Sequence, residues 1–163
     1  MASRKLSDLV GTMEARAEAL VAKCDMAGID LLIYCTLRSL EEQARLYRQP
    51  KSADQIHAMA DKLRNVYMRP DLGEILLSVG PQSGPKVTNA APGMSAHNYG
   101  LAFDCVPLVN GKAQWSSKAP EWQEVGRLGQ SLGLEWAGSW TSFREYPHFQ
   151  ELGFTWRQRI LMG

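Results

Sequence analysis

The sequence predicts one compact α+β domain. Apolar residues recur at helical spacing in several separate segments, and between these segments lie short apolar runs that have the length of strands. With 163 residues, of which 45% are hydrophobic, the chain is long enough for one domain with a buried core. It contains no internal repeat, low-complexity tract or clear linker. We therefore expect residues 1–163 to form a single domain.

The first predicted element is an amphipathic helix. Ser3 or Ser7 is its candidate N-cap, and Gly28 is expected to end it. Its apolar residues follow three- and four-residue steps, which are typical of a helix with one buried face: Leu6, Leu9, Val10, Met13, Ala17, Leu20, Val21 and Cys24.

A strand and a second helix are expected next. The apolar run Leu-Leu-Ile-Tyr-Cys-Thr at 31–36 predicts a buried strand. Ser39 is followed three residues later by Glu42, a capping-box pattern that predicts the start of a helix. That helix should end before Pro50, and it carries Gln43, which we interpret as an ordinary helix residue.

The middle of the chain predicts more helix and then a loop. Residues 51–79 have apolar residues at helical spacing, with a break at Pro70. Residues 80–93 are rich in Gly, Pro, Ser and Asn, which predicts a loop with a brief strand at 86–88.

The last third predicts strands and helices in alternation. Residues 101–106 predict a strand, and 120–132 predict a helix. From Ser139 onward we expect a tight Tyr-Pro turn, a strand-like segment and a short final helix that ends near Met162.

Composition excludes several classes of protein. The chain has 18 Lys and Arg against 17 Asp and Glu, a net charge of +1, whereas a dedicated nucleic-acid binder would be more basic. Cys24, Cys35 and Cys105 are an odd number without paired spacing, which indicates buried thiols and a reducing compartment. Residues 1–8 lack the apolar stretch of a secretory signal, and no run approaches the ~20 apolar residues of a membrane span. We therefore expect folding in the cytoplasm without stable membrane insertion.

Two residues with metal-binding side chains lie close together at the predicted strand 101–106. His97 precedes the strand and Asp104 lies within it, on the same face as Ala102 and Val106 because side chains alternate along a strand. Ala102 is small and leaves space beside the carboxylate, and Gly100 allows the turn to fold the histidine back toward it. The two side chains are therefore expected to converge on one metal ion.

A second segment, Glu-Tyr-Pro-His at 145–148, supplies a further histidine and a carboxylate. Pro147 fixes the backbone just before His148, and Glu145 lies close to that histidine without needing to bind the same ion. Three protein ligands with water in the fourth position are typical of catalytic zinc, although imidazole and carboxylate groups also bind neighbouring divalent ions.

These motifs resemble a known family. Ser95-x-His97-x6-Asp104, followed by Glu145-x-x-His148, is similar to the zinc D-Ala-D-Ala carboxypeptidases and dipeptidases, a family that includes bacteriophage endolysins acting as L-alanyl-D-glutamate peptidases. The segment 34–47, Tyr-Cys-Thr-Leu-Arg-Ser-x-x-Glu-Gln-x-x-Leu-Tyr, resembles a third block of the family. The resemblance implies a Hedgehog/DD-peptidase-like fold, in which a small antiparallel sheet carries the zinc site and is flanked by helices.

The resemblance also implies roles for individual residues. His97, Asp104 and His148 would hold Zn²⁺, and Glu145 would be the catalytic base that takes a proton from water. Arg38 would stabilise the developing oxyanion. Ser95 would contact either the substrate or a residue that holds the metal. Apart from the resemblance, most of the five tryptophans are expected in the core or the cleft, and the ring of Trp140 is expected to line the substrate groove.

The chain departs from the family pattern in two places. Residues 51–86 are longer than the corresponding connection of compact endolysins, so we expect a helical insertion there, either as a lid or as an extension of the helical layer. In the turn 136–140, Trp-Ala-Gly-Ser-Trp, Ala137 replaces the first glycine of a family Gly-Gly-x-Trp turn.

The assignments have simpler alternatives. His97 and His148 have the alternative of being structural histidines that bind no metal. His57 is expected to be a surface residue, four positions before Asp61 on a helix. Arg38 has the alternative of a surface ion pair, and Ser95 that of a turn former. The basic, amphipathic end of the chain, 154–162, has the alternatives of touching a membrane or of packing on the domain, and we favour packing.

The resemblance predicts a peptidoglycan peptidase, and more specifically an endolysin that cuts the stem peptide between L-Ala and D-Glu during host cell lysis by a bacteriophage. We expect a monomer without a separate wall-binding domain. It would be made in the host cytoplasm and reach the periplasmic wall through the pore of a holin. One alternative is a D-Ala-D-Ala dipeptidase or carboxypeptidase, and another, from a different class, is a catalytically silent, zinc-stabilised module that binds peptidoglycan.

Overall fold

The computed structural model describes residues 1–162, which form helices and one antiparallel sheet. The helices are α1 Met13–Met26, α2 Leu40–Arg48, α3 Ala53–Asn65, α4 Pro70–Ser78, α5 Pro120–Ser131 and α6 Trp156–Leu161. The strands are β1 Asp30–Cys35, β2 Ala102–Val109, β3 Lys112–Ala113, β4 Leu134–Trp136 and β5 His148–Glu151. The predicted α+β class is therefore confirmed. Among the described residues, no helix combines the length and apolar character needed to cross a membrane.

The chain divides into two compact units. The sheet unit comprises Ala2–Leu37 and Tyr99–Phe154, and it contains every strand of the described chain together with α1 and α5. The helical unit comprises Met1, Arg38–Asn98 and the segment from 155 onward, and it contains α2, α3, α4 and α6. The domain count predicted from the sequence stays a prediction.

The sheet has the strand order β1-β2-β5-β4, with β3 paired to β2. All of these pairs are antiparallel, as the family resemblance implies. Phe149 of the central strand β5 is paired with Phe103 on β2 and with Trp136 on β4. These residues share one face of the sheet, because directly opposed residues point to the same side.

That apolar face packs against α5 through glycines. A side-chain carbon at Gly129 would lie 2.2 Å from the Phe149 ring, and one at Gly126 would lie 2.3 Å from the Trp136 ring. Phe103 and Phe149 stack with ring centroids 5.5 Å apart. Because glycine has no side chain, these two positions of α5 leave the space that the aromatic rings of the sheet fill.

The helical unit has its own hydrophobic core. Residues from its four helices and from the segment before residue 95 are buried together: Ala44, Tyr47, Ile56, Ala60, Leu63, Leu72, Leu76, Ala91, Met94 and Ile160. A complete capping box between Ser52 and Gln55 begins α3, and Pro70 occupies the first turn of α4, where a missing backbone N–H costs nothing. The helical content expected between 51 and 86 is thus present.

Two local predictions were wrong at the start and middle of the chain. The first helix begins at Met13 instead of Leu6, because Gly11 takes a positive φ of 60° and separates it from a short 3-10 turn at Leu6–Asp8. Neither predicted cap is used: Thr12 is the residue before the helix, and the Ser3 hydroxyl donates a hydrogen bond to Asp8. The predicted strand at 86–88 is absent, and those residues are irregular.

Other boundaries agree with prediction within a few residues. Ser39 accepts a hydrogen bond from the backbone N–H of Glu42 and begins α2, as predicted. The helix predicted at 120–132 is present as α5. The two-residue strand β3 and the three-residue strand β4 were not predicted, because such short strands leave little alternation to detect.

Candidate metal centre

A β-bulge in β1 determines which side chains reach the predicted metal site. Ile33 is paired with Cys105, but the next pair in the register joins Cys35 to Asp104, so Tyr34 is an extra residue. On the other side of β2, Asp104 is paired with His148. Three side chains with metal-binding atoms therefore form one cross-strand row, and they share a face of the sheet.

We call this side of the sheet the polar face, defined by Asp104, His148 and Gln150. Strand alternation along β2 was predicted correctly: Asp104 and Ala102 share the polar face, whereas Phe103 points to the core. Ala102 is fully buried and small, as predicted, and it lies directly opposite Gln150.

Asp104 and His148 are in direct contact. Oδ1 of Asp104 lies 3.1 Å from Nδ1 of His148, and the side chains are only 15% and 9% exposed. Zinc distances of ~2.0–2.2 Å to nitrogen and oxygen place two tetrahedral ligand atoms about 3.4 Å apart. The two side chains are therefore spaced as two ligands of one ion need to be, within a few tenths of an ångström.

The second ring nitrogen of His148 also has a partner. Nε2 lies 2.8 Å from Oε1 of Gln150, and Nε2 of Gln150 donates to Oε2 of Glu135 at 2.6 Å. A histidine that binds a metal through one nitrogen usually has the other nitrogen held in this way. The donor set and its outer contacts thus fit a divalent metal ion.

Cys35 is the member of the row that the sequence did not reveal. Its Sγ lies within 4.8 Å of a ligand oxygen of Asp104, and the residue is buried. Regular alternation gives no sign of this position, because the bulge at Tyr34 changes which residue faces Asp104. The prediction that all three cysteines are buried is confirmed, and burial raises the pKa of Cys105 well above its usual range.

Tyr34 reports on the electrostatics of the polar face. Burial is the main cause that raises the pKa of its phenol, and the negative charge of Asp104 raises it further. Glu145 adds a smaller contribution of the same sign. The carboxylates of Asp104 and Glu145 therefore both act on the same region of the sheet unit.

Glu145 is exposed, and its backbone is fixed on both sides. Its N–H donates to the carbonyl of Ala137 at 3.2 Å, and its own carbonyl accepts from the N–H of His148 at 3.3 Å. Trp140 follows the 3-10 turn Ala137–Ser139, and its ring centroid lies 5.9 Å from that of His148. Both residues thus lie on the segment that leads into His148; the Glu145 side chain is exposed, and the Trp140 side chain is half-buried.

His97 belongs to the helical unit and lies in the 3-10 turn Ala96–Tyr99. It is 2% exposed, its N–H donates to Oγ of Ser95 at 3.3 Å, and its carbonyl accepts from the N–H of Arg38 at 3.0 Å. Ser95 therefore acts as the turn former that was weighed against a substrate contact. The roles of His97 as a ligand and of Ser95 as a substrate contact stay predictions.

Arg38 is held from two directions within the helical unit. Its carbonyl accepts from Nδ2 of Asn98 at 3.1 Å, and Nη1 of its guanidinium donates to Oε1 of Gln43 at 3.0 Å. Gln43 is fully buried, and its Nε2 donates to the carbonyl of Ala90 at 2.8 Å. Gln43 is therefore more than the ordinary helix residue expected, because a buried amide connects Arg38 to the loop at Ala90.

The remaining histidine is at the surface, as predicted, although its expected pairing with Asp61 stays a prediction. His57 is exposed on α3, and its Nδ1 contacts the carbonyl of Ala53 at 2.8 Å.

Comparison with known proteins places the chain in a family. A family model described as D-alanyl-D-alanine carboxypeptidase matches residues 88–151. The chain is also 30% identical over 152 residues to the peptidoglycan L-alanyl-D-glutamate endopeptidase CwlK of Bacillus subtilis (strain 168), a match that covers 88% of this chain and 74% of that protein. The chain therefore belongs to the D-Ala-D-Ala carboxypeptidase-like family of zinc peptidases.

The fold agrees with that of a solved structure. The L-Ala D-Glu endopeptidase ChiX of Serratia marcescens matches with a TM-score of 0.50 and 14% identity, covering 93% of this chain and 88% of that one. The family assignment from the sequence motifs is thus confirmed, and so is the enzyme class, a metallopeptidase. The matched segment 88–151 contains all three predicted metal ligands and the predicted base.

Proposed function

We propose that this peptidase binds Zn²⁺ through His97, Asp104 and His148 and hydrolyses the stem peptide of bacterial peptidoglycan between L-Ala and D-Glu. The observation that carries the proposal is the contact of 3.1 Å between Asp104 and His148 on the polar face, with Glu145 three residues before the histidine. The bond specificity is supported by the relative CwlK, whose name describes cleavage of this bond.

The bound ion would supply Lewis-acid polarisation of the scissile carbonyl and a lowered pKa for water. Glu145 would take a proton from the attacking water and pass it to the leaving amine, a role that suits an exposed carboxylate with a fixed backbone. Arg38 would stabilise negative charge on the carbonyl oxygen, since its guanidinium is already fixed by Gln43. Trp140 and Ser95 would contact the substrate.

Replacement of the base tests the catalytic part of the proposal. Glu145→Ala should keep the fold and zinc content, because the side chain is exposed, and should lower hydrolysis of sacculi by about 100- to 10,000-fold. A turbidity assay on permeabilised cells measures the rate, and elemental analysis measures zinc. The matched control is Glu151→Gln, a carboxylate on β5 next to Gln150. Undiminished lysis by Glu145→Ala would remove that residue from its role.

The nearest alternative is a D-Ala-D-Ala dipeptidase or carboxypeptidase. It is favoured by the description of the family model that matches residues 88–151. Mass spectrometry of digested muropeptides separates the two activities. A new amino terminus on D-Glu supports the proposal, whereas loss of D-Ala supports the alternative. Lack of any cleavage by the zinc-loaded protein would favour a silent binding module.

The biological setting is a further part of the proposal. We place the protein as a monomeric endolysin, made in the host cytoplasm and released by a holin to act on the periplasmic wall. This part rests on the resemblance of three sequence segments to bacteriophage enzymes. Expression with and without a co-expressed holin tests it, since lysis of the culture should require both proteins.

A further inference from the structure

A chain of polar contacts extends outward from the proposed ligands along the polar face. It connects four side chains in the order Asp104, His148, Gln150 and Glu135, with separations of 3.1, 2.8 and 2.6 Å. His148 and Gln150 are buried, and Glu135 is half-buried. The proposed function uses the first two residues and leaves Gln150 and Glu135 without a role.

Glu135, at the outer end of this series of contacts, determines the direction of each hydrogen bond in it. A carboxylate only accepts, so the group of Gln150 that faces Glu135 must be its NH₂. The carbonyl Oε1 of Gln150 then faces His148, and an amide oxygen also only accepts. Nε2 of His148 must therefore carry the proton and donate it.

This assignment determines the chemistry of the other ring nitrogen. In a neutral imidazole with a proton on Nε2, Nδ1 has a free electron pair. Nδ1 faces Oδ1 of Asp104 at 3.1 Å, and that oxygen is also an electron-pair donor. A positive charge between these two atoms removes their repulsion: a second ring proton supplies it in an imidazolium, and a divalent ion bound to both atoms supplies it when the imidazole is neutral.

We propose that Gln150 and Glu135 are positioning residues of the metal centre, which hold His148 in the tautomer that presents Nδ1 to the ion. This inference rests on the proposed function, because it takes His148 to be a ligand. Neither residue touches the ion or the substrate in this proposal.

The fold makes room for these contacts. Gln150 lies directly opposite Ala102 on one side and Glu135 on the other, and it is two residues from His148 on the same face of β5. The Trp140 ring lies against His148 as well, so contacts fix both the tilt and the proton position of the imidazole.

Zinc affinity of the full-length protein measures this role. Competition with a chromophoric chelator at neutral pH should show Gln150→Leu binding Zn²⁺ about 10- to 100-fold more weakly than wild type, the usual cost of removing an outer partner. Glu135→Gln should weaken binding less, since an amide oxygen still accepts from Gln150. The matched control is Glu151→Gln, the adjacent position of β5, which should bind as wild type does.

A second readout distinguishes positioning from general support of the fold. Long-range ¹H–¹⁵N correlation in the zinc-loaded protein should show the His148 proton on Nε2 and the metal on Nδ1. Gln150→Leu should lose the slowly exchanging Nε2 proton. Glu135→Gln alters a half-buried side chain, so it keeps the question answerable if Gln150→Leu fails to fold.

The outcomes separate the inference from the proposed function. His148→Ala, measured alongside, should lose zinc. If it does so while Gln150→Leu and Glu135→Gln bind zinc as tightly as wild type, the positioning role is wrong and the ligand set stands. If His148→Ala retains full affinity, the ligand set is wrong and the positioning role falls with it. A proton found on Nδ1 of the zinc-loaded protein would also overturn the inference.

Discussion

The two units of the molecule hold their chemical groups in different ways. In the sheet unit, Asp104 and His148 occupy opposed positions of neighbouring strands, so backbone pairing itself sets their separation. In the helical unit, Arg38 and His97 lie outside regular helices and strands, and hydrogen bonds between loop segments hold them. The two predicted ligands of the sheet unit are thus positioned by strand register, whereas the predicted residues of the helical unit are positioned by individual polar contacts.

This difference teaches where the centre is sensitive to change. Strand pairing is distributed over many backbone bonds, so a single surface substitution hardly moves Asp104 relative to His148. The Arg38 guanidinium donates to a single buried side-chain amide, that of Gln43, which belongs to no strand register. Substitutions in the helical unit should therefore alter catalysis more often without altering the sheet.

The largest expected effect comes from removing one predicted ligand from each unit. Asp104→Ala and His97→Ala should each weaken zinc binding by more than the roughly 100-fold that loss of an outer partner costs. Chelator competition and muropeptide hydrolysis measure both losses. His57→Ala, an exposed histidine of the helical unit, is the control. Full zinc affinity in His97→Ala would show that the helical unit supplies no ligand.

The next effect concerns Arg38 and the amide that holds it. Arg38→Ala should lower kcat by about 100- to 1000-fold, the range seen when an oxyanion donor is removed. Gln43→Leu should lower kcat by roughly 10- to 100-fold, because it keeps the guanidinium but removes a buried hydrogen bond that positions it. Glu41→Gln changes an exposed side chain of the same helix, α2, and is the control. An unchanged kcat in Gln43→Leu would show that Arg38 needs no support.

A smaller effect tests the packing of the sheet unit. Gly129→Ala places a methyl carbon 2.2 Å from the Phe149 ring, so the strand that carries His148 must shift. We expect the free energy of unfolding to fall by about 1–3 kcal/mol, as measured by denaturant titration. Gln130→Ala, an exposed neighbour on α5, should change it by less than about 0.5 kcal/mol. Equal stability of the two variants would mean that the sheet yields without cost.

The smallest effect concerns an ion pair at the surface of the helical unit. Arg69 donates two hydrogen bonds to Asp71, at 2.9 and 2.7 Å, and this contact lowers the pKa of Asp71. A lowered pKa stabilises the fold at neutral pH, and the contribution disappears as the pH falls through the lowered value. Because Asp71 is 55% exposed, Asp71→Asn should cost less than about 1 kcal/mol at pH 7. Thermal unfolding at pH 7 and at acidic pH measures it, and a difference that persists in acid would contradict this origin.

Regular alternation and helical spacing account for most of what the sequence revealed. Ala102 and Asp104 were placed on one face because strand alternation has a period of two, and the structure confirms it. The contact between Asp104 and His148 agrees with the motif, although the order of the strands does not follow from spacing. The start of the first helix was missed because the apolar pattern continues through Gly11, whose positive φ breaks the helix.

The remaining features depend on irregular backbone or on distant partners. The role of Gln43 requires knowledge that Ala90 lies beside it, and no local pattern contains that information. Gln150 and Glu135 become visible only when β4 is paired with β5, and β4 is too short to be recognised. Such residues are found from the register of the sheet, which single-sequence patterns do not specify.

The extra residue at Tyr34 has a consequence for how this enzyme can change in length. Side chains alternate between the two faces of a strand, so an inserted residue reverses the face to which every later side chain points. The first half of β1 buries Leu31 in the core, while its last residue faces Asp104 across the sheet. Leu31 and Cys35 are four positions apart, and in an unbroken strand they would share a face; the extra residue Tyr34 lets them point to opposite faces. Deletion of Tyr34 would restore unbroken pairing and keep Cys35 opposite Asp104, whereas insertion of a further residue would turn Cys35 away unless a second bulge formed.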